Sequence, residues 1–492
     1  MAKKVIVIGS GFSGLTSACL LAKHGYEVTV LEKNATPGGR ARQFSAEGFT
    51  WDMGPSWYWM PDVFESFFNL FGKSASDYYR LHRLDPSYRI YFGKNDIINL
   101  PASTEGMELL FESYEKGAGL KLRKFLKEAE YKYQVGMSEF VHKPSLSFLE
   151  YASPKFLGSI FKLHMLQSFE SYTKKYFKHP RLLQMLEFPV LFLGGTGKSI
   201  PALYSLMNYG DIKLGTWYPE GGMYRVVKAF VELAESLGVK FLYNAPVDKI
   251  LVNAGKATGV MANHEFHMAD YILGSGDYHH IEQQLLPAEY RKYTPEYWES
   301  RMMSPSALIY FLGFKKKLTG FEHHTLFFDT DFGRHSADIY ESPRWPVNPA
   351  VYFSVTSLTD STVAPEGMEN MYVLIPIAAG LDGDDFEVRE KYLDLVLKRI
   401  EYNTGISAAG DLIYSRPYSL KEFNEDYHAF KGNAYGLANT LMQTAFLKPS
   451  MNNRKVSNLF YAGQLTVPGP GVPPAIISGQ VAAKLIINRG NS

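Results

Sequence analysis

An α/β fold, α+β over the chain as a whole, is predicted by three stretches of the sequence. Lys4-Val5-Ile6-Val7-Ile8 is a short apolar run of the kind a parallel sheet buries on both faces. It runs into Gly9-Ser10-Gly11-Phe12-Ser13-Gly14, and then a helical stretch, Leu15 to His24, and a second strand, Glu27 to Leu31, tipped by Glu32. Near the other terminus, Leu459 to Gly463 reads as a strand and 475–488 as a closing helix. Strand, glycine turn, helix, strand and acid, in that order, make a weak G-x-G-x-x-G pattern a strong one.

Each residue of the opening motif has a physical task. Gly9 makes the tight turn, Gly11 lets backbone approach a pyrophosphate, and Gly14 lets helix and strand pack closely. Ser10, Phe12 and Ser13 complete a helix start whose free N–H groups and positive dipole end suit phosphates. Glu32 follows Gly9 by 23 positions, close to the roughly 20 expected of the acid that accepts hydrogen bonds from an adenosine ribose. Lys33 adjoins it.

The remaining elements follow in order. Residues 61–215 read as largely helical, with strand-like exceptions such as Tyr88 to Phe92; Met107 to Val135 has the composition of one amphipathic helix. Phe148 to Phe177 interleaves aromatics with lysines such as Lys162 and Lys174, the composition of a helix lying in a membrane interface or of a core-packed helix with a solvated lysine face. α/β texture returns at 217–277: a helix from Gly221-Gly222-Met223 to Leu237, strands at Lys240 to Tyr243, Val247 to Val252 and Gly259 to Ala262, and a strand ending in Gly274-Ser275-Gly276-Asp277. Ala307 to Leu312, Ala350 to Val355 and Met371 to Ile377 read as strands, and Phe386 to Tyr402 as a helix. The expected domains are a discontinuous nucleotide-binding unit (1–72, 217–285 and 451–492), a helical lobe that meets a membrane (73–216), and a mixed-sheet substrate domain (286–450).

Composition excludes several classes. A chain of 492 residues is long for one core. The net charge of +1 points to no nucleic-acid partner. The single cysteine, Cys19, is a packing residue inside the first helix, and no disulfide framework is possible. The first strand begins within a few residues of Met1, leaving no room for a signal peptide. No apolar run approaches the ~20 residues that span a bilayer. The chain is therefore expected to be soluble or peripherally bound. Aromatics make up 15% of the chain, with 33 Tyr and 33 Phe, which fits large apolar surfaces to cover in the core or a large apolar ligand to bind.

Two further segments narrow the cofactor. Pro37-Gly38-Gly39-Arg40-Ala41-Arg42 places flexible backbone and fixed positive charge just past the ribose acid. Gly54-Pro55-Ser56 follows. Together with the opening motif they resemble the flavoproteins with two dinucleotide-binding domains. That resemblance implies FAD, with Gly39, Arg40, Gly54, Pro55 and Ser56 in its site, Val247 contacting adenine through backbone, and Gly463 and Val472 closing the flavin end. The dipole of the last helix would support a reduced ring.

The resemblance sharpens along the chain. Gly54 to Pro61, Phe192-Leu193-Gly194-Gly195-Thr196 with Pro201 to Tyr204, Tyr218 to Met223, Ala429 to Leu437 and Pro468 to Pro473 are together similar to the bacterial carotenoid desaturases of the phytoene desaturase type. Pro470 and Pro474 depart from that pattern and stiffen the loop beside the flavin. The resemblance implies FAD-dependent desaturation of a long acyclic carotenoid, phytoene towards lycopene, with hydride passing to flavin N5 and a quinone or oxygen as the final acceptor. It implies peripheral membrane contact to collect the substrate, and so a cytoplasmic protein placed peripherally on the inner face of the cell membrane. Trp57, Tyr58 and Trp59 are the expected tunnel aromatics.

The sequence assigns no catalytic side chain and no metal site. Asp52, Glu220, His323 and His324 are the weak candidates, and Asp52 could equally cap a turn. Rival readings are an amine oxidase, a desaturase of a later carotenoid (hydroxylated or monocyclic, at the 3,4 position), a carotenoid or retinoid saturase, and, from a different class, a prenyl-lipid escort that has lost the flavin.

Overall fold

The computed structural model describes residues 2–147, 150, 163–191 and 194–491. Its nucleotide-binding sheet is parallel throughout, with strands in the order Leu459–Tyr461, Tyr271–Gly274, Lys4–Ile8, Glu27–Leu31 and Lys240–Leu242. Three distant stretches of sequence therefore build one sheet. The first strand sits at its centre, and Val5, Val7 and Ile6 are buried there on both faces. The helix Phe12–Lys23 leaves this strand and packs against the last helix, Val472–Asn491, with the Ser17 hydroxyl donating to the Gly479 carbonyl at 2.8 Å. An antiparallel three-stranded sheet, Val247–Asn253, Lys256–Ala262 and Glu265–Met268, stands beside it.

The second large sheet has seven strands: Leu412–Tyr418, Ser306–Phe314, Glu369–Ile377, Val351–Ser354, His324–Phe327, Tyr88–Gly93 and Asp96–Leu100. It is mixed, because His324–Phe327 runs parallel to Tyr88–Gly93 while its other pairings are antiparallel. The period of two along each strand gives the sheet two different apolar faces. Leu308, Tyr310, Val351, Phe353, Val373 and Ile375 form one core with Val396 and Ile400 of the helix Phe386–Thr404. Ala307, Ile309, Tyr352, Tyr372 and Leu374 turn the other way, into the core shared with the nucleotide-binding unit. The helix Phe386–Thr404 has the ends its sequence calls for: Asp385 caps it by accepting from the Val388 N–H at 2.9 Å, and Gly405 leaves it at φ +77°.

Two sequence expectations are corrected. The stretch from Met107 to Val135 is two helices, Thr104–Tyr114 and Ala118–Val135. Gly117 at φ +81° breaks it, and the Glu112 carboxylate accepts from the Gly117 and Gly119 N–H groups at 2.7 and 3.0 Å, holding the turn. The last helix starts at Val472 rather than 475, since prolines are tolerated in a first turn. Much of the Phe148 to Phe177 segment lies outside the described residues; its described end holds the short helix Phe169–Thr173.

Candidate functional site

A cleft opens where the carboxyl ends of the parallel strands meet the inner face of the mixed sheet, the usual place for a ligand in such folds. Gly9, Ser10, Gly11, Phe12, Ser13, Glu32, Lys33, Gly39, Arg40, Gly54, Pro55, Ser56, Val247, Gly463 and Val472 all line it. Gly14 does not. It lies one layer behind, where an added Cβ would stand 2.2 Å from the Gly9 carbonyl oxygen.

The cleft fits an extended dinucleotide. Gly11 has φ −69° and ψ 172°, which any residue adopts, and no atom lies within 4 Å of the position its Cβ would take. Its glycine therefore leaves space free rather than relieving strain. The helix beyond it has no side-chain cap and no acid in its first turn, so its leading N–H groups are free for an anion. Gly39, at φ +55°, comes so close that an added Cβ would reach the Gly11 Cα at 3.4 Å. Gly54 abuts the Arg40 carbonyl, 2.4 Å from where its own Cβ would be. The acid is rigidly held: Glu32 accepts from the Ser10 N–H at 2.9 Å, the Ser10 hydroxyl at 2.5 Å, the Asn34 N–H at 2.9 Å and the Asn34 side-chain amide at 3.1 Å. Arg40 donates to the Asn433 carbonyl at 3.0 Å and lies 5.1 Å from the Tyr427 ring, while its buried Nε has no partner. A buried guanidinium with an unused N–H is a ready donor to an anionic ligand.

The closing helix departs from the expectation. Two of its first three residues, Pro473 and Pro474, lack an N–H, so only Val472 carries one there. The helix still aims its dipole at the cleft, but it offers fewer donors than an ordinary N-terminus. Gly463 adopts φ +112° and donates its N–H to the Ser478 hydroxyl at 3.0 Å, joining the last strand to this helix.

The weak catalytic candidates separate. Asp52 is outside the cleft and caps the helix Met223–Ser236, accepting from the Met223 and Tyr224 N–H groups at 2.6 and 3.1 Å. Burial pushes its carboxyl up to about 7. Asp52→Ala is expected to lower stability by about 1–2 kcal/mol in urea unfolding while leaving the bound-flavin spectrum unchanged. Glu220 is exposed and sits 3.2 Å from His82 Nε2, away from the cleft. His323 and His324 are buried behind the wall; His324 lies flat on Trp57, with centroids 3.9 Å apart and 17° between planes. Burial pulls both imidazoles down, His323 to about 3. Trp57 and Trp59 line the cleft as expected, but Tyr58 faces the opposite way, stacked on Phe64 at 4.3 Å and bonded to the Tyr79 hydroxyl at 2.8 Å. The alternation of an extended segment puts it there.

Sequence reasoning missed Tyr352, Tyr372, Tyr427, His428 and Tyr435, which also line the cleft. Tyr435 lies within the segment Ala429 to Leu437 that carries the family resemblance but was given no role there; the others come from remote strands and loops without a local motif. Ser275, Gly276 and Asp277 were legible as a glycine turn at a strand end, and they too line it. Among the described residues no group of three or more His, Cys, Asp and Glu could hold a metal ion.

Comparison with known proteins agrees with this geometry. Residues 12–487 match the model of the flavin containing amine oxidoreductases. A protein of Haloarcula japonica named carotenoid 3,4-desaturase is 40% identical over 485 residues, 98% of each chain. A zeta-carotene-forming phytoene desaturase of Myxococcus xanthus is 30% identical over 488 residues, covering 99% of this chain and 94% of its own. The crystal structure of an oxidoreductase from Methanosarcina mazei superposes with a TM-score of 0.63 at 16% identity, covering 98% of this chain and all of the other, a likeness of fold. With a dinucleotide cleft of this shape and these relatives over its whole length, the chain is an FAD-dependent oxidoreductase that belongs to the flavin containing amine oxidoreductase family, on its carotenoid desaturase branch.

Proposed function

We propose that this protein desaturates a carotenoid, and that its step is a 3,4-desaturation rather than the conversion of phytoene towards lycopene. The similarity carries this reading: the relative named for 3,4-desaturation is 40% identical and the one named for phytoene 30%, both over nearly the whole chain. The cleft suits a polyene in that Trp57, Trp59, Met60, Ile309 and Leu374 are part of its wall. FAD, when bound, accepts two electrons and one hydrogen from the substrate. The site residues named above would hold it: Glu32 at the ribose, Gly11 and the first helix at the pyrophosphate, Arg40 nearby, and Gly463 and Val472 at the ring. The domain boundaries set out from the sequence are proposed with it, supported by the parallel sheet that 4–31, 240–274 and 459–461 build together.

A hydrocarbon substrate is carried in lipid, so we place the protein on the inner face of the cell membrane, with a quinone or oxygen as final acceptor. No helix among the described residues is long and apolar enough to cross a membrane. Met302, Met442, Phe446 and Leu447 are exposed on adjoining loops, joined where the Met302 N–H donates to Gln443 at 2.9 Å, and offer an apolar contact for a bilayer. The test is expression in two hosts, one accumulating phytoene and one a coloured acyclic carotenoid. The expected result is a red-shifted product, two hydrogens lighter per step, in the second host only. Conversion of phytoene to lycopene would return the reading to phytoene desaturation.

A further inference from the structure

Desaturation removes two hydrogens from neighbouring carbons, one with its electron pair and one as a proton. A hydrocarbon has no group of its own to receive that proton, so an acceptor must reach the cleft. Three cleft-side groups form a connected row. The Ser56 hydroxyl lies 2.7 Å from the Tyr352 hydroxyl, and the Tyr352 hydroxyl lies 2.8 Å from His324 Nδ1. Ser56 and Tyr352 line the cleft, whereas His324 is fully buried one layer behind them. Tyr352 points inward because it alternates with Val351 and Phe353, which enter the opposite core.

We propose that Tyr352 takes the substrate proton and passes its own to His324, a relay that rests on the desaturase reading above. The substrate C–H bond breaks, its electron pair stays to form the new C=C bond, and the proton goes to the Tyr352 oxygen. The phenolic proton moves in the same direction to His324 Nδ1, leaving tyrosine neutral and creating an imidazolium. The other hydrogen and its electron pair are taken up by bound FAD, so the substrate loses two hydrogens and two electrons, and the proton is held by the chain.

Burial raises the Tyr352 phenol and lowers the His324 imidazole, which keeps the resting pair neutral with the phenol as donor and means that the imidazolium must be offset by its surroundings. The Ser56 hydroxyl can then donate to the Tyr352 oxygen. The imidazolium would form flat against the Trp57 indole, 3.9 Å away, whose electron-rich face attracts a cation. His324 Nε2 has no partner, so no carboxylate holds the ring permanently charged. His323, packed edge-on at 4.5 Å, is tied instead to the Thr359 hydroxyl at 2.6 Å.

The test uses the FAD-loaded protein and the carotenoid it converts, mixed without oxygen so that bleaching of the flavin reports one turnover. Tyr352→Phe and His324→Gln are each expected to slow bleaching by about 10²-fold or more. FAD content and carotenoid binding, read by tryptophan quenching, should be unchanged. Added imidazole should restore part of the rate in His324→Gly, which a packing role would not allow. Independently of turnover, nitrogen NMR of the histidine-labelled protein, assigned by loss of one signal in His324→Gln, should show His324 neutral with its proton on Nε2. Unchanged bleaching in Tyr352→Phe, or a proton resident on Nδ1, overturns the relay. A wild-type protein whose flavin no carotenoid bleaches overturns the desaturase reading instead, so the two failures are distinguishable.

Discussion

Gly14→Ala is expected to yield no soluble, flavin-bound protein. The added methyl would stand 2.2 Å from the Gly9 carbonyl oxygen and 2.9 Å from the Ser275 hydroxyl. The serine can rotate away; the carbonyl cannot, because it belongs to the turn joining the central strand to its helix. The helix is held on its other side as well. At Gly479 of the last helix a Cβ would meet the Ser13 carbonyl oxygen at 2.3 Å, and Ser17 donates to the Gly479 carbonyl at 2.8 Å. Neither helix can retreat, so relief must come by parting strand from helix at the centre of the parallel sheet. Overpacking commonly costs about 1–3 kcal/mol, and a clash with fixed backbone on both sides belongs at the upper end or beyond. Thermal unfolding followed by circular dichroism, with the soluble yield, checks this; a variant that melts with the wild type would show that the helix does slide.

Gly11→Val should fail differently, leaving a folded, colourless protein. Its backbone sits at φ −69° and ψ 172°, open to valine, and nothing lies within 4 Å of the position a Cβ would take. The apoprotein therefore has no clash to relieve. It loses at most about 1 kcal/mol from a poorer residue at the helix cap. The branched side chain instead enters the open space beside the free N–H groups of the first helix, the proposed place of the pyrophosphate. Retention of FAD through gel filtration should fall by about 10²-fold or more, since several charge-assisted hydrogen bonds are lost together. A yellow Gly11→Val protein with normal FAD content would place the pyrophosphate elsewhere. These two outcomes would divide one motif, with Gly14 serving the fold and Gly11 the cofactor.

How much of the site was legible depended on how local each signal is. Gly9, Gly11, Glu32, Gly39 and Arg40 fall within 32 consecutive residues, and each has its task in one turn, one helix start or one strand tip. Such tasks leave a residue type at a fixed spacing, and the structure gathers those residues around one cleft. The helix Phe386–Thr404 was legible as a run from Phe386 to Tyr402, and the structure adds its caps, Asp385 and Gly405. The break at Gly117 went unread, because helical composition lies on both sides of it. Asp52 shows the converse. A carboxylate between cofactor motifs reads as chemistry, yet its partners are backbone N–H groups at Met223 and Tyr224, about 170 residues away in sequence, and its task is a helix cap.

By itself the sequence marked the dinucleotide turn, its ribose acid and the strands around them, because these rest on short-range backbone requirements that admit few residues; FAD and the family came from the resemblance of segments spread along the chain. Only the tertiary structure decided which aromatics face the ligand. Tyr58 turns away between Trp57 and Trp59, while Tyr352 arrives from a strand nearly 300 residues later to meet Ser56. Composition counted the rings without orienting them. A pleated strand sends neighbours to opposite faces, and which face becomes a cleft is settled only when a second sheet packs opposite it.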